Sequence, residues 1–505
     1  MFDKWLSMLK RPICNGDEIK SLKKSNTEKR IAMLKFLMDI YEVFVGLFSI
    51  VYILLYLILA IFSYIAIKKY LNTKNFIPNN VLVKSNHIPG VSVIAPAFNE
   101  GATVVYNVKS LLSLTYPKYE VVLINDGSAD DTLEKLIKEF ELVKVPFYYE
   151  AKIPTGPVRG HYKSTNPLFS KLLVVDKVNR KSKADASNTG INSTKYPLIL
   201  CTDVDCILKN DAVIKLAKPF IESKKRVIAT GAGIRSSNSC EVKDGFLVKI
   251  HFPKGWYARF QELEYVRAFL FGRMALSQIN SLLLVSGGLG MFDKEIVIKA
   301  GGYWHKSLGE DMELVIRMRK YMYENKLPFL IKYIPESLCW TEVPETKTIF
   351  IRQRMRWARG LIQTLFLHRN LVFNPKYQRT AFFIMPYYIV FEFLIPIMEL
   401  VGILTTLLFF IFYKVNFLFF FYITSLVYLF YLILTIVSIF LDDIIYKNYA
   451  NTKEIVILVL MAIIEPFVYH PVNTYAFLKG YYHFIKQKEQ NWGNMQRRGF
   501  STKPK

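Results

Sequence analysis

The sequence is poor in cysteine and in acidic residues. Its five cysteines lie far apart and show none of the close spacings of zinc-binding motifs. We therefore expect neither a disulfide framework nor a structural zinc site, and interpret the cysteines as reduced thiols facing the cytoplasm. No internal repeat or low-complexity tract is present, which excludes a repeat protein. The 41 acidic residues are outnumbered by 66 basic ones, so the net charge is +25.

Charge is nearly absent from three long stretches. Residues 43–67 contain no charged residue, and residues 393–413 and 417–441 are interrupted only by Glu399. Each is long enough to cross the roughly 30 Å hydrocarbon core of a bilayer as a helix. The first is too long for a cleavable signal peptide and is predicted to be a retained anchor. A fourth stretch, residues 455–464, is followed by Pro466 and Pro471; it could cross with a kink, re-enter or lie in the interface.

The positive charge has two interpretations. It could serve nucleic-acid binding, but the basic residues gather beside the apolar stretches, as is typical of contact with anionic headgroups. We therefore predict a lipid bilayer and no nucleic acid as partner, with a multi-pass protein in the cell membrane and a cytoplasmic middle domain. A single amino-terminal span would put the basic residues 1–39 outside, so the topology stays open. An interfacial helix that includes Trp5 and Leu9, or a re-entrant last segment, would relieve the conflict.

The sequence divides into five predicted regions. These are a basic amino-terminal segment, a transmembrane helix, a cytoplasmic domain, a membrane region with interfacial and two to three transmembrane helices, and a basic tail. Their boundaries are 1–39, 40–70, 88–370, 377–478 and 479–505.

Short apolar runs alternate with helical patterns in the middle domain. Strands are predicted at 91–96, 120–126, 172–176 and 198–203, and helices at 100–114, 129–140, 184–193 and 210–223. This alternation predicts an α/β fold with a mostly parallel sheet flanked by helices, inserted between transmembrane helices. Ligands of such sheets bind beyond the carboxyl ends of the strands.

Polar residues follow three of these predicted strands. Asn99 and Glu100 follow the first, Asp126 ends the second, and Asp203 and Asp205 follow the fourth. Two carboxylates at this spacing can hold Mg²⁺ or Mn²⁺ through oxygen ligands, although most such pairs are solvated loop residues. Asp126 could accept hydrogen bonds from a nucleoside, but Asp-Gly is also a turn signal.

Two further segments contain residues that could bind phosphate or accept a proton. Lys183 begins a predicted helix and could reach a phosphate as a point charge, or be an ordinary surface lysine. Glu310 and Asp311 precede an amphipathic helical stretch. A carboxylate there is usually a helix cap or dipole partner, but it could also be a general base.

The segment IRQRMRWARG carries a Gln-x-x-Arg-Trp pattern. On a helix Gln353, Arg356 and Trp357 share one face. An indole can pack on the apolar face of a pyranose, and an arginine can bind a diphosphate. The alternative is an interfacial helix with snorkelling arginines such as Arg352, Arg354 and Arg359.

Seven stretches between about residues 90 and 370 together resemble the family 2 inverting glycosyltransferases, in particular the processive cellulose, hyaluronan and poly-N-acetylglucosamine synthases. They are VSVIAPAFNE, VLINDGSADDT, SKADASNTGIN, TDVDCIL, VSGGLGMF, GEDMELVIRM and QRMRW. The resemblance implies a GT-A-like fold and inverting, metal-dependent transfer from a UDP-sugar, with UDP-N-acetylglucosamine preferred. The implied acceptor is a growing β-linked polysaccharide.

The resemblance also implies roles for particular residues. Asp311 would be the catalytic base, and Asp203 and Asp205 would hold the Mg²⁺ or Mn²⁺ cofactor. The donor-binding residues would be Asn99, Glu100, Asp126, Lys183, Asp203 and Arg356. The acceptor-binding residues would be Gly288, Glu310, Gln353 and Trp357. Single addition to a lipid carrier, a non-catalytic membrane protein that binds polysaccharide or nucleotide-sugar, an accessory membrane subunit and a homo-oligomer stay open.

Overall fold

The structure is a computed structural model that describes residues 16–73, 82, 84, 88–243, 245–412, 417–446 and 451–487. Trp5, Leu9 and most of the predicted basic tail lie outside these residues. The chain forms two compact units. One joins the residues up to Leu57 with Met398–Tyr431, and the other joins Ile58–Ile397 with the residues from Leu432 onward.

Twelve strands are present in the described part of the chain. Ten form one sheet, in the order β3-β4-β5-β2-β1-β6-β11-β8-β12-β7, and β9 and β10 form a separate pair. The strands are β1 (Val91–Ala97), β2 (Tyr119–Asn125), β3 (Leu142–Val145), β4 (Val158–Ser164), β5 (Leu172–Lys177), β6 (Leu198–Thr202), β7 (Ile207–Leu208), β8 (Arg226–Ser236), β9 (Glu241–Lys243), β10 (Phe246–Lys249), β11 (Leu289–Asp293) and β12 (Phe329–Thr341).

The centre of the large sheet is parallel. Strands β5, β2, β1 and β6 pair in parallel, as do β8 and β12, and β11 runs antiparallel between β6 and β8. Every residue of β2 is buried, as expected for a strand covered by helices on both faces. The predicted mixed α/β sheet with mostly parallel strands is confirmed. Its four predicted strands correspond to β1, β2, β5 and β6.

Helices flank this sheet and follow it along the chain. They are α1 (Gly16–Thr73), α2 (Val104–Leu112), α3 (Thr132–Glu139), α4 (Lys183–Ser193), α5 (Ala212–Glu222), α6 (Trp256–Arg267), α7 (Met274–Gln278), α8 (Lys294–Lys299), α9 (Glu310–Glu324), α10 (Lys347–Leu367), α11 (Thr380–Ile411), α12 (Phe417–Tyr446) and α13 (Thr452–Ile485). The first part of α11 contains the π-helical stretches Thr380–Ile384 and Tyr388–Leu394.

Four helices in the described residues are long and apolar enough to cross a membrane. They are Lys35–Thr73, Thr380–Ile411, Phe417–Tyr446 and Thr452–Ile485. Two of these helices bear on the regions predicted from the sequence. Helix α1 runs without a break across the predicted boundary at 39/40. Residues 455–464 belong to a continuous 34-residue helix that contains Pro466 and Pro471, because a proline removes only one helical hydrogen bond and neighbouring helices can hold the chain in place.

The sheet unit extends beyond the predicted domain boundary at residue 370. Helix α13 packs directly on α10: a Cβ added at Gly480 would lie 2.8 Å from the Ala358 Cβ. Tyr469 of α13 is buried in the same apolar cluster as Phe260 and Phe350. The last apolar helix is therefore part of the core that supports α10.

Candidate functional site

The loops after β1 and β2 are joined by hydrogen bonds at the carboxyl edge of the sheet. The Asn99 amide donates to the Ser128 hydroxyl at 3.0 Å, and the Asn99 side-chain oxygen accepts from the Ala129 amide at 2.8 Å. Asn99 itself has a left-handed φ of 55°, which asparagine tolerates better than most residues. The Glu100 amide donates to the Thr132 hydroxyl at 2.9 Å. Asn99 and Glu100 therefore lie beside the Asp126 loop.

Asp126 takes part in a buried charge cluster. The Lys177 ammonium lies 2.7 Å from Asp126 and 2.8 Å from Asp185, and its side chain has no exposed surface. Burial raises the pKa of Asp126, although Lys177 opposes the shift. Lys177 was not among the residues selected from the sequence. Because Lys177 ends β5 at the same edge of the sheet, the strand-end rule that selected Asp126 could have found it.

Asp203 and Asp205 follow β6 and form a candidate metal site. One carboxylate oxygen from each and the Cys206 sulfur lie within 4.8 Å of one another. The Asp203 side chain is one-third exposed, at 34%, whereas Asp205 is buried. Two carboxylates suit a hard divalent cation such as Mg²⁺ or Mn²⁺. The residues present therefore fit the predicted metal.

Lys183 connects this pair to the loop before β11. Its ammonium forms an ion pair with Asp203 and donates to the Gly287 carbonyl at 3.4 Å. Burial alone would lower the pKa of Lys183, but the Asp203 and Glu310 carboxylates outweigh it and raise the pKa above its ordinary value. Lys183 is therefore charged at neutral pH.

Asp311 contacts the same loop. The Gly287 amide donates to its Oδ2 atom at 3.0 Å, and the Met312 amide donates to Oδ1 at 2.8 Å. A Cβ added at Gly287 would lie 3.4 Å from the Lys183 ammonium and 3.7 Å from Asp311 Oδ2. Gly288, the next residue, lies beside the candidate metal site, because a Cβ added there would lie 3.8 Å from Asp203 Oδ2. The structure thus brings Lys183, Asp203, Gly288 and Asp311 together.

The positive charge of Arg356 acts on Glu310, the neighbour of Asp311. Burial raises the pKa of Glu310, and the neighbouring Asp311 charge raises it further. The positive charges of Lys183 and Arg356 act in the opposite direction without cancelling the shift. Glu310 therefore lies within electrostatic reach of residues from α4, α9 and α10.

Helices α9 and α10 are held together at the start of α9. A Cβ added at Gly360 would lie 2.8 Å from the Gly309 nitrogen. The Gln363 side chain accepts from the Leu308 amide at 3.0 Å and donates to the Lys306 carbonyl at 2.9 Å. The segment that carries Asp311 is consequently fixed against the helix that carries Arg356 and Trp357.

Arg354, whose guanidinium lies over the Trp357 ring, is buried. The Arg354 guanidinium lies 4.3 Å from the Trp357 ring centre and makes two hydrogen bonds to Glu264, at 2.6 and 2.7 Å. Burial alone would raise the pKa of Glu264, but Arg354 and the Tyr469 hydroxyl hold it below its ordinary value. Arg354 is therefore not a snorkelling residue. Neither Arg354 nor Glu264 was selected from the sequence as a site residue, because their importance follows from an ion pair between residues far apart in the chain.

Gln353 occupies the side of α10 that packs on α6. It is buried, and its oxygen accepts from Gln261 at 3.2 Å. Trp357 is half-buried. The structure therefore places Trp357 on the partly open side of the helix, and Gln353 on its inner side.

Two family models match this chain. The model described as glycosyl transferase family 2 matches residues 92–278, and the model described as glycosyl transferase family group 2 matches residues 199–441. Together the two matched ranges include most of β1, Asp203 and Asp205, Asp311, α10 and most of α12.

The chain is also similar to curated proteins. Over 284 residues it is 31% identical to a poly-beta-1,6-N-acetyl-D-glucosamine synthase of Staphylococcus epidermidis, covering 55% of this chain and 57% of that protein. Over 307 residues it is 28% identical to the synthase of the same name from Staphylococcus aureus strain COL, covering 60% and 61%. The match thus spans less than two thirds of these relatives.

Among solved structures, a mannosyltransferase from Pyrobaculum calidifontis in complex with GDP-Man and Mn²⁺ matches with a TM-score of 0.46 and 15% identity. The match covers 85% of this chain and 100% of that one.

Proposed function

We propose that this chain, which matches two glycosyl transferase family 2 models, transfers a sugar from a UDP-sugar to a growing β-linked polysaccharide at the membrane. The single observation that carries the proposal is the convergence of Asp203, Lys183 and Asp311 around Gly287. A diphosphate needs positive charge, and an attacking hydroxyl needs a base. Lys183 supplies the positive charge and Asp311 is the candidate base, and both contact the loop that contains Gly287.

The donor would lie along the carboxyl edge of the sheet. Asp126, supported by Lys177, would accept hydrogen bonds from the nucleoside, with Asn99 and Glu100 in the adjoining loop. Lys183 and Arg356 would bind the diphosphate. Asp203 and Asp205 would hold Mg²⁺ or Mn²⁺, which when bound would offset charge on the departing diphosphate.

Asp311 would act as the base in a single inverting displacement. The carboxylate takes a proton from the acceptor hydroxyl, the hydroxyl oxygen attacks the anomeric carbon, and the bond from that carbon to the diphosphate oxygen breaks. The amide hydrogen bonds to Asp311 from Gly287 and Met312 fix the direction of the carboxylate. One displacement converts an α-linked donor into a β-linked product.

The acceptor would be held by residues around this base. The half-buried Trp357 offers an indole face for a pyranose ring, while Gly288 and Glu310 lie beside Asp203 and Asp311. Gln353, buried against Gln261, would support the Trp357 helix from its inner side. The relatives named as poly-beta-1,6-N-acetyl-D-glucosamine synthases support UDP-N-acetylglucosamine as donor and a polysaccharide as acceptor.

Repeated addition would take place at the membrane. Among the residues that the structure describes, four helices have the length and composition to cross a bilayer. We propose that the sheet domain faces the cytoplasm, where nucleotide-sugars are made. Held by Trp357, the chain end would advance after each addition. A partner membrane subunit or a homo-oligomer could widen the path for the polymer.

The test is a donor panel with product sizing. Membranes that contain the full chain are incubated with UDP-N-acetylglucosamine, UDP-glucose and GDP-mannose, and the products are sized, with Asp311→Asn membranes as control. A long polymer made from UDP-N-acetylglucosamine supports the proposal. Single-sugar products on lipid would favour a non-processive transferase, and donor binding without any product would favour a non-catalytic binding protein.

A further inference from the structure

A second concave site lies at the edge of the sheet opposite the Asp203 pair. It is a cavity of about 830 Å³ near the starts of β6 and β8 and the end of β11. Leu198, the first residue of β6, lines it, whereas Asp203 follows the last residue of that strand. At about 3.3 Å per residue the two sites are roughly 16 Å apart along the strand. The cavity is therefore separate from the proposed donor site.

Basic side chains dominate the wall of this cavity. Its acidic residues are Asp293 and Glu295, and both are already paired with Arg226, at 2.7 and 2.8 Å. The basic lining residues are Lys152, Lys195, Lys224, Lys225, Arg226, Lys294 and Lys299. The excess positive charge is therefore not neutralised by the wall itself.

The other carboxylates nearby compensate only part of this charge. Lys152 pairs with Glu150 at 3.0 Å, and Lys195 lies 3.7 Å from Glu120. Lys299 interacts electrostatically with Glu295. Within the described part of the chain, Lys224 and Lys225 form no ion pair closer than 4.0 Å. A concave surface with uncompensated charge of one sign focuses its field and attracts the opposite charge.

Helix ends account for some of the lysines. Helix α5 ends at Glu222, just before Lys224, and Lys299 is the last residue of α8. A cation near a helix carboxyl end offsets roughly half a charge. The effect does not extend to Lys294, at the start of α8. Burial lowers the pKa of Lys294, Glu120 opposes this shift, and Lys152 adds a smaller lowering.

We propose that this cavity binds a phosphate-bearing anion of about nucleotide size. Its volume falls within the roughly 300–1,000 Å³ typical of small-molecule sites. Lysines bind phosphate as point charges, and several of them favour a ligand with more than one negative charge. The ligand would be held chiefly by Lys224 and Lys225, which line the cavity and are exposed. The inference does not depend on the proposed transfer reaction.

The primary test is calorimetric titration of the purified full chain with pyrophosphate. Chelator is present throughout, so that metal-dependent diphosphate binding at Asp203 and Asp205 does not contribute. The variant Lys224→Glu/Lys225→Glu should bind at least about tenfold more weakly than the unaltered chain, a loss of about 1.4 kcal/mol. The matched control Lys138→Glu/Lys254→Glu changes two exposed lysines elsewhere and should stay within about twofold.

Two results of this titration would overturn the proposal. One is the absence of saturable binding, and the other is an equal loss in both double variants, which would mean that only the overall charge matters. Lys183 and Arg356 of the proposed donor site are unchanged in both double variants, so a loss confined to Lys224→Glu/Lys225→Glu distinguishes the cavity from that site whatever the outcome of the transfer reaction.

Competitor anions identify the source of the phosphate. Pyrophosphate binding more tightly than glycerol 3-phosphate would support a soluble, multiply charged ligand, and the reverse order would support a lipid headgroup. Citrate binding as tightly as pyrophosphate would overturn a phosphate site. Tighter binding of a poly-glutamate peptide would likewise overturn it in favour of an acidic protein segment.

Discussion

Gly309 and Gly360 meet through their backbones where the start of α9 crosses α10. A Cβ added at Gly360 would lie 2.8 Å from the Gly309 nitrogen and 2.9 Å from its Cα atom. Backbone atoms cannot give way as a flexible side chain can, so only glycine fits. The contact sets the distance between the Asp311 segment and the helix of Trp357.

Gly360→Ala should lower both stability and turnover. The added methyl group would push the two helices apart, and overpacking of this kind typically costs about 1–3 kcal/mol. Thermal unfolding in detergent and polymer synthesis in membranes measure the two effects. Gly272→Ala is the matched control, since a Cβ there would meet nothing within 4 Å. Wild-type behaviour of Gly360→Ala would show that this contact does not position the site.

Asp311→Asn should abolish sugar transfer while leaving UDP binding intact. Loss of a general base typically costs about 10²–10⁴-fold in rate, and the amide oxygen can still accept the hydrogen bond from the Gly287 amide. Turnover and calorimetric UDP binding are measured on the same preparation. Near-normal turnover would remove Asp311 from the role of base.

Chelation of divalent metal should stop transfer, and Mg²⁺ or Mn²⁺ should restore it. The reason is that Asp203 and Asp205 supply the carboxylates proposed to hold the ion. In a direct assay, the electron paramagnetic resonance signal of free Mn²⁺ should fall when chain and UDP are added, and much less with Asp205→Asn. Undiminished transfer in chelator would exclude a metal-dependent mechanism.

Arg354→Met should destabilise the protein strongly. It leaves Glu264 without the guanidinium that binds it at 2.6 and 2.7 Å, and breaking a buried ion pair in this way typically costs about 3–5 kcal/mol. Thermal unfolding is the measurement, with the exposed neighbour Arg352→Met as control. Adding Glu264→Leu should recover part of the loss. Equal effects of the two single variants would contradict the burial of this pair.

Glu310→Gln should raise stability at neutral pH. Burial and Asp311 raise the folded-state pKa of Glu310 above its ordinary 4.5, so ionisation is less favourable in the folded chain than in the unfolded one. The wild type therefore loses stability as the pH rises from 4.5 through that higher pKa. The gain in melting temperature should be present at pH 7 and vanish near pH 4, with the exposed Glu134→Gln as reference. A gain independent of pH would have another cause.

The sheet and its edge were largely predictable because their signals are local. Apolar runs of strand length fixed β1, β2 and β6, and the polar residues after them fell at one edge, as parallel pairing requires. The burial of Lys177 was not predictable from its own segment, since it depends on β5 pairing with β2. Sequence position alone likewise does not separate the buried Arg354 from the exposed Arg352.

The course of the last apolar stretch stayed open in the sequence for a physical reason. Hydropathy identifies apolar length but not what a neighbouring helix supplies. The sequence around Pro466 and Pro471 therefore could not separate a kinked crossing from a re-entrant or interfacial segment, and the structure shows α13 as continuous there. The contact between Gly309 and Gly360 could not be predicted either, because the sequence does not distinguish a glycine needed for close approach of two helices from a glycine in a turn.

The packing of α13 on α10 limits how this protein can be dissected. Gly480 touches Ala358, and Tyr469 shares a hydrogen bond with Arg354. A soluble fragment cut at residue 370 would keep the sheet but lose the surface against which the Trp357 helix rests. Crystallographic or inhibitor-screening work on a truncated, lipid-free fragment would therefore sample a pocket with one wall unsupported, and the intact chain is the appropriate target.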